Sequence, residues 1–191
     1  MYHAEALPTM IDFLRGIGMA VEVGAEGAAD GFLPGINIHG GVIHVDPETL
    51  VGSGDLLHEA GHIAIVPRRF WPRLNKDLHA DMLAAFAAEP GPTPDPAIAE
   101  ATSNDEVMAQ AWSYAAALAM GVSPESIFFP GSYRVGPYEG THPMLAWLER
   151  GTHLGPLALA RAGMAGYPAL FSFMGHNGLA PFPTMARWVQ E

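Results

Sequence analysis

The sequence predicts an α+β domain in which a small N-terminal antiparallel sheet is followed by packed helices, and three stretches carry that prediction. Residues 36–45 alternate β-branched with polar residues on either side of Gly40-Gly41, the pattern of a hairpin. Residues 53–66 open at Ser53, a good N-cap, carry Asp55 in the first turn and stop before Pro67, which reads as a helix. Residues 103–120 hold Ala109, Ala111, Ala115, Ala116, Ala117 and Ala119 and close on Gly121, giving high helix propensity and room for close packing.

The remaining elements follow in order. Leu7, Ile11, Leu14 and Ile17 recur at helical spacing over residues 5–19 and end at Gly18. Met19 to Val23 alternates and reads as a short strand, and residues 24–31 are a loop of glycine, alanine and acids. Asp46-Pro47 ends the hairpin. Arg68 to Asn75 is irregular, and Leu78 to Ala88 is helical. The proline-rich run at residues 89–96 is a surface loop, too short to divide the chain, so residues 1–191 are expected to be a single domain. Residues 127–137, rich in aromatics, proline and glycine, read as a strand followed by a loop, and residues 142–150, 153–164 and 182–189 as short helices. No repeat of fixed period is present.

Composition narrows the partners. An apolar fraction of 49% with only 15% charged residues describes a chain that folds. A formal charge of -11, with Lys76 the sole lysine, would repel nucleic-acid phosphate and anionic lipid, so neither nucleic acid nor a membrane is an expected partner. The N-terminal residues lack the basic region of a secretory signal, and no apolar run reaches the ~20 residues of a membrane span. A cytoplasmic location is expected. With no cysteine, disulfides and cysteine-ligated zinc are excluded, and any metal site must use His, Asp, Glu or water. Oligomeric state is open.

The chemistry is concentrated in Leu56-Leu57-His58-Glu59-Ala60-Gly61-His62. Residues four apart on a helix lie one turn apart on the same face, so His58 and His62 can offer imidazole nitrogens to one ion. Glu59, next to the first histidine, is directed toward water on that ion and can take its proton during attack. A helix whose histidines only form hydrogen bonds is the rival explanation. The apolar flanks and Gly61, which costs about 1 kcal/mol inside a helix unless something packs closely there, argue against it.

At these residues the chain resembles the HExxH zinc metallopeptidases, the zincins. Metzincins continue with glycine and histidine where this chain has Ile65 and Arg68. The resemblance is therefore to the gluzincin-like branch, in which a downstream helix contributes a glutamate. The order of hairpin, motif helix and glutamate-bearing helix is similar too, over about residues 36–120. It implies Zn2+ as cofactor and a peptide or small amide as substrate.

Two residues compete as third ligand. Glu106, in the first turn of the predicted alanine-rich helix, suits the resemblance best, although Ser103-Asn104-Asp105-Glu106 is also a capping box in which Glu106 would bond back to the backbone. Asp81 lies 19 residues after His62, a suitable interval with a different acid. Its alternatives are an exposed acid or a partner that orients a ligating histidine. Asp77 and His79 are weaker options. Glu106 ranks first. Tyr133, Tyr138, His142, His153 and His176 are candidates to stabilise an oxyanion, each more often structural, and His39 and His44 flank the hairpin turn, where they could line a cleft. The expected function is a zinc-dependent hydrolase, most simply an intracellular peptidase. The alternatives are a metal-binding domain that acts through a partner without hydrolysis, and a structural domain in which the motif is coincidence.

Overall fold

The structure, a computed structural model, describes residues 1–28, 33–88 and 95–191. It is an α+β fold. A 3-10 turn at Ala4–Ala6 leads into helix α1, Leu7–Gly16, which buries Leu7, Met10, Ile11 and Leu14. Strand β1 is Val21–Val23, and the hairpin forms as expected from β2, Ile36–His39, and β3, Val42–Val45. The sheet is mixed, with order β1-β3-β2. β2 and β3 are antiparallel, whereas β1 lies parallel to β3, Val21 opposite Ile43. The antiparallel sheet expected from the sequence is thus corrected at one strand. β1 and β3 are not joined by a tight turn, so their relative direction is set by the long connection between them and not by local turn chemistry.

Helix α2, Ser53–Ala64, crosses the centre of the molecule, with Leu56, Leu57, Ala60, Ile63 and Ala64 fully buried. Its N-cap is Gly52 and not Ser53, and the Asp55 carboxylate accepts the Gly52 N–H at 3.2 Å. The other end is closed by the C-terminal segment, where the Gln190 N–H donates to the Ala64 carbonyl at 3.0 Å and the Arg68 N–H to Gln190 O at 3.1 Å. Both termini of α2 therefore have partners for part of the backbone that a helix leaves unpaired.

A 3-10 segment, Arg68–Arg73, precedes helix α3, Leu78–Ala87, capped by Asp77. Of the proline-rich run, residues 89–94 lie outside the described residues. Pro96 opens the long helix α4, Pro96–Met120, with Asp95 as its cap. The helix expected to begin at Ser103 therefore starts seven residues earlier. The polar run that suggested a start marks a break instead. Asn104 departs from helical dihedrals (φ -139°, ψ 20°), and its side-chain amide donates to Glu100 at 2.9 Å. Asn and Asp side chains compete with the backbone for hydrogen bonds and favour such interruptions.

After α4 the chain forms 3-10 turns at Pro124–Ser126 and Ser132–Arg134, then α5, Pro143–Glu149, and α6, Gly155–Arg161. The strand expected within residues 127–137 is absent. Phe128 and Phe129 are buried against side chains and not in a sheet ladder, and Phe129 stacks on Tyr2. Residues 182–189 are irregular and not helical, while a 3-10 segment at Ala169–Met174 was not foreseen.

α4 packs on α2 and α6 at very short range. A Cβ on Gly61 would lie 3.0 Å from the Ala109 carbonyl oxygen and 3.2 Å from Ala109 Cβ. The Ser113 hydroxyl, on the same face, reaches the Leu57 carbonyl at 3.0 Å. On the other side, a Cβ on Gly155 would overlap the Val107 carbonyl oxygen and meet Ala111 Cβ at 2.7 Å. Because the obstacle is backbone, Gly155→Ala is expected to cost about 1–3 kcal/mol of stability as overpacking. Chemical denaturation measures this, and an unchanged midpoint would show that the two helices can separate freely.

Candidate metal centre

Helix α2 presents His58 and His62 one turn apart, and their Nε2 atoms lie 3.2 Å from each other. Across from them the second half of α4 presents Glu106, whose Oε2 is 3.3 Å from His62 Nε2 and 3.6 Å from His58 Nε2. Both histidine side chains are 14% exposed and the Glu106 side chain 52%, so the three atoms sit where a pocket meets solvent. Ser103 lies within α4, one residue before the break at Asn104, and no hydrogen bond of a capping box joins it to Glu106. Glu106 Oε1 instead accepts a hydrogen bond from Gln110 Nε2 at 2.8 Å, leaving Oε2 turned to the histidines.

Burial and charge act differently on the four groups. Burial, with the neighbouring His62, pushes His58 down to about 3. At His62 burial works to lower the pKa, but its hydrogen bond to the Glu106 carboxylate and the charges of Glu59, Glu106 and Asp105 raise it above its ordinary value. For Glu106 burial works upward and is overcome by the His62 hydrogen bond, the two histidines and the Gln110 amide, which bring it down to about 2. Glu59 is buried, and desolvation pushes it up to about 7. Among the described residues no hydrogen bond holds its carboxylate, which lines the cleft.

The cleft on that side has a volume of about 450 Å³, within the usual range for small-molecule sites. Leu33, Pro34, Val51 and Phe129 form its apolar wall, and Glu59, Tyr133 and Arg134 its polar one. Tyr133 and Arg134 both adopt left-handed conformations, with φ of 53° and 54°. Non-glycine residues in that region carry strain, and such strain collects at functional sites. The Tyr133 hydroxyl is 3.4 Å from His58 Nδ1, and its ring meets His58 edge-on. A second, smaller cavity, which shares His58, Glu59 and Glu106 with the first, is also lined by His62, Lys76, Asp77, His79 and Asp105.

The other candidates from the sequence lie apart from the three atoms. Asp81 turns back to accept the Asn75 N–H at 2.7 Å, and Asp77 caps α3. His79 pairs with Asp105 at 2.6 Å on the rim. Tyr138 packs against His142, which is buried, lies 3.4 Å from the Ser132 hydroxyl and caps α5. His176 is exposed in a turn, where it accepts the Gly178 N–H. His39 is exposed, and His44 faces Glu22 and Glu26. These last three residues also bring donor atoms together, His44 Nδ1 lying 3.4 Å from Glu22 and 3.2 Å from Glu26, but both carboxylates are exposed at the surface, away from the cleft. Of the five oxyanion candidates, Tyr133 alone borders the cleft containing His58 and Glu59. His153 is buried, with Nε2 2.9 Å from Gln110 Oε1.

Sequence reading missed Gln110, Arg134 and the link from Tyr133 to His58. Gln110 had a legible signal, a polar residue four after Glu106 within the otherwise apolar stretch Met108 to Trp112. No family model, curated protein or solved structure matches the chain.

Burial holds the His153 pKa down to about 4 from an ordinary 6.5, so the unfolded chain takes up a proton in that interval and the folded chain does not. Its contribution to stability is complete above about pH 6.5 and is lost as pH falls toward 4. In metal-free protein, His153→Gln is therefore expected to reduce the stability lost between pH 7 and pH 5 by about 2 kcal/mol. Urea titrations at the two pH values test this, and equal losses in wild type and variant would contradict it.

Proposed function

We propose that this protein is a zinc-dependent hydrolase acting on a peptide or small amide, with the cytoplasm as its proposed setting. His58, His62 and Glu106 would hold the ion, and Glu59 would serve as the general base. The observation that carries the reading is the triangle of donor atoms. Its edges are 3.2, 3.3 and 3.6 Å. A tetrahedral ion with bonds of ~2.0–2.1 Å separates its ligand atoms by about 3.3–3.4 Å. The donor set therefore fits one ion without rearrangement of the helices. Two imidazoles and a carboxylate also match the preferences of zinc, and three protein ligands leave the fourth position open, as in catalytic sites.

When bound, zinc supplies Lewis acidity, polarising a carbonyl and lowering the pKa of a water molecule. The chain's own residues account for the rest. Glu59 lacks a hydrogen-bond partner among the described residues, and its raised pKa suits a group that takes a proton near neutral pH and returns it to a leaving nitrogen. Were His58 to offer Nε2 to the ion, its Nδ1 would carry the proton and could donate to the Tyr133 hydroxyl 3.4 Å away, which would orient the ring. The apolar wall of the cleft receives a side chain of the substrate, and the Arg134 guanidinium supplies a positive charge at its polar edge.

Two substitutions test the assignment. Glu106→Ala is expected to weaken zinc binding by more than about 100-fold, beyond the ~10–100-fold typical of losing an outer partner. Elemental analysis and competition with a chromophoric chelator measure it. Glu59→Gln should retain zinc while lowering cleavage of a peptide library by about 10²–10⁴-fold. A Glu59→Gln variant as active as wild type would remove Glu59 as the base, and a wild-type chain that takes up no zinc would end the reading.

A further inference from the structure

Behind Glu106, on the side away from the histidines, α4 and α6 enclose two buried polar side chains for which hydrolysis has no direct use. Gln110 is 4% exposed and His153 is 4% exposed. They join Glu106 to the N-terminus of α6 through an unbroken row of hydrogen bonds. The Gly155 N–H donates to His153 Nδ1 at 3.1 Å, His153 Nε2 meets Gln110 Oε1 at 2.9 Å, and Gln110 Nε2 donates to Glu106 Oε1 at 2.8 Å.

The direction of each bond follows from the one before it. Because the Gly155 N–H occupies the lone pair of Nδ1, the proton of neutral His153 must sit on Nε2. Nε2–H can only donate, so it selects the oxygen end of the Gln110 amide. That leaves the NH₂ end facing Glu106, the only end able to bond a carboxylate. The reverse orientation would put two oxygens against each other. Burial makes this selection strict, since an unpaired amide or imidazole in this interior would be costly. The overlap that a Cβ on Gly155 would make with Val107 explains how α6 comes close enough for its first turn to set the tautomer.

We infer that Gln110 and His153 are positioning residues, which hold the Glu106 carboxylate by Oε1 so that Oε2 stays aimed at His58 and His62. The inference rests on the metal-site reading proposed above, and goes beyond it by assigning a supporting shell. Hydrogen-bonded outer partners of this kind hold a ligand in place before the ion arrives.

Gln110→Glu is isosteric. It keeps an acceptor for His153 and replaces the donor to Glu106 with an oxygen. His153→Gln retains a donor near the position of Nε2, whereas His153→Leu removes it. Zinc affinity of each full-length variant is read by chelator competition, with thermal unfolding of the metal-free form alongside. The expected result is a loss of about 10–100-fold for Gln110→Glu and His153→Leu, with His153→Gln within about 3-fold of wild type. Lower unfolding temperatures with unchanged zinc affinity would mean that the row is only structural and would overturn the inference. Failure of wild type to bind zinc would overturn the metal reading as well, so the two failures are distinct. Should Gln110→Glu or His153→Leu not fold, the ¹⁵N spectrum of the wild-type histidines decides. His153 protonated at Nε2 at neutral pH supports the row, and Nδ1 protonation overturns it.

Discussion

The contact between α2 and α4 governs this molecule. Gly61 lies against the backbone of Ala109, with the Ala109 carbonyl 3.0 Å from where a Cβ would stand. Helices usually pack with axes 8–10 Å apart, the distance depending on the side chains at the contact, and glycine against alanine favours the short end. That closeness lets a carboxylate on one helix reach two imidazoles on the other. Glu106 stands one turn before Gln110 and just beyond the break at Asn104, where α4 leaves ideal geometry. The contact is reinforced by the Ser113 hydroxyl at the Leu57 carbonyl and by the apolar residues of α2, which are buried nearly all round.

Around that contact the polar groups fall into two kinds. Those with fixed partners serve the framework: Asp55 on Gly52, Asp81 on Asn75, Gln190 at the end of α2 and His142 at the start of α5. Their bonds satisfy backbone groups that would otherwise be orphaned. Those that converge without saturating one another are Glu59, Glu106, His58 and His62, at the inner end of a cleft closed on one side by Tyr133 and Phe129. Low local dielectric strengthens every interaction there. It also explains why the groups are displaced in opposite directions, His58 down and Glu59 up, while Glu106 is drawn down by the imidazoles.

Much of this was legible in the sequence wherever local chemistry decides the outcome. The Gly40-Gly41 hairpin, the α2 span to within two residues and the helix at 78–87 follow from patterning and caps. The pairing of Glu106 with His58 and His62 was reachable because helical spacing and a glycine predict both the shared face and the close approach. Long-range constraints were not legible. The parallel placement of β1 and the irregular 127–137 segment depend on packing across the molecule. The Ser103-to-Glu106 signal misled because an interruption within a helix and a helix start use the same polar residues. His153 could not be linked to Gln110 in advance, because 43 residues separate them and α6 brings them together only through the contact at Gly155. No helix among the described residues is long and apolar enough to cross a membrane.

The triangle formed by His58 Nε2, His62 Nε2 and Glu106 Oε2 is the feature on which the proposed chemistry depends. The most direct measurement is a crystal structure of the full-length chain grown with zinc, with the ion located by its anomalous scattering. The expected result is a single strong peak about 2.0–2.2 Å from each of the three atoms, with α2 and α4 unmoved. A peak elsewhere, or one bound by the two histidines with the Glu106 carboxylate turned away, would contradict it.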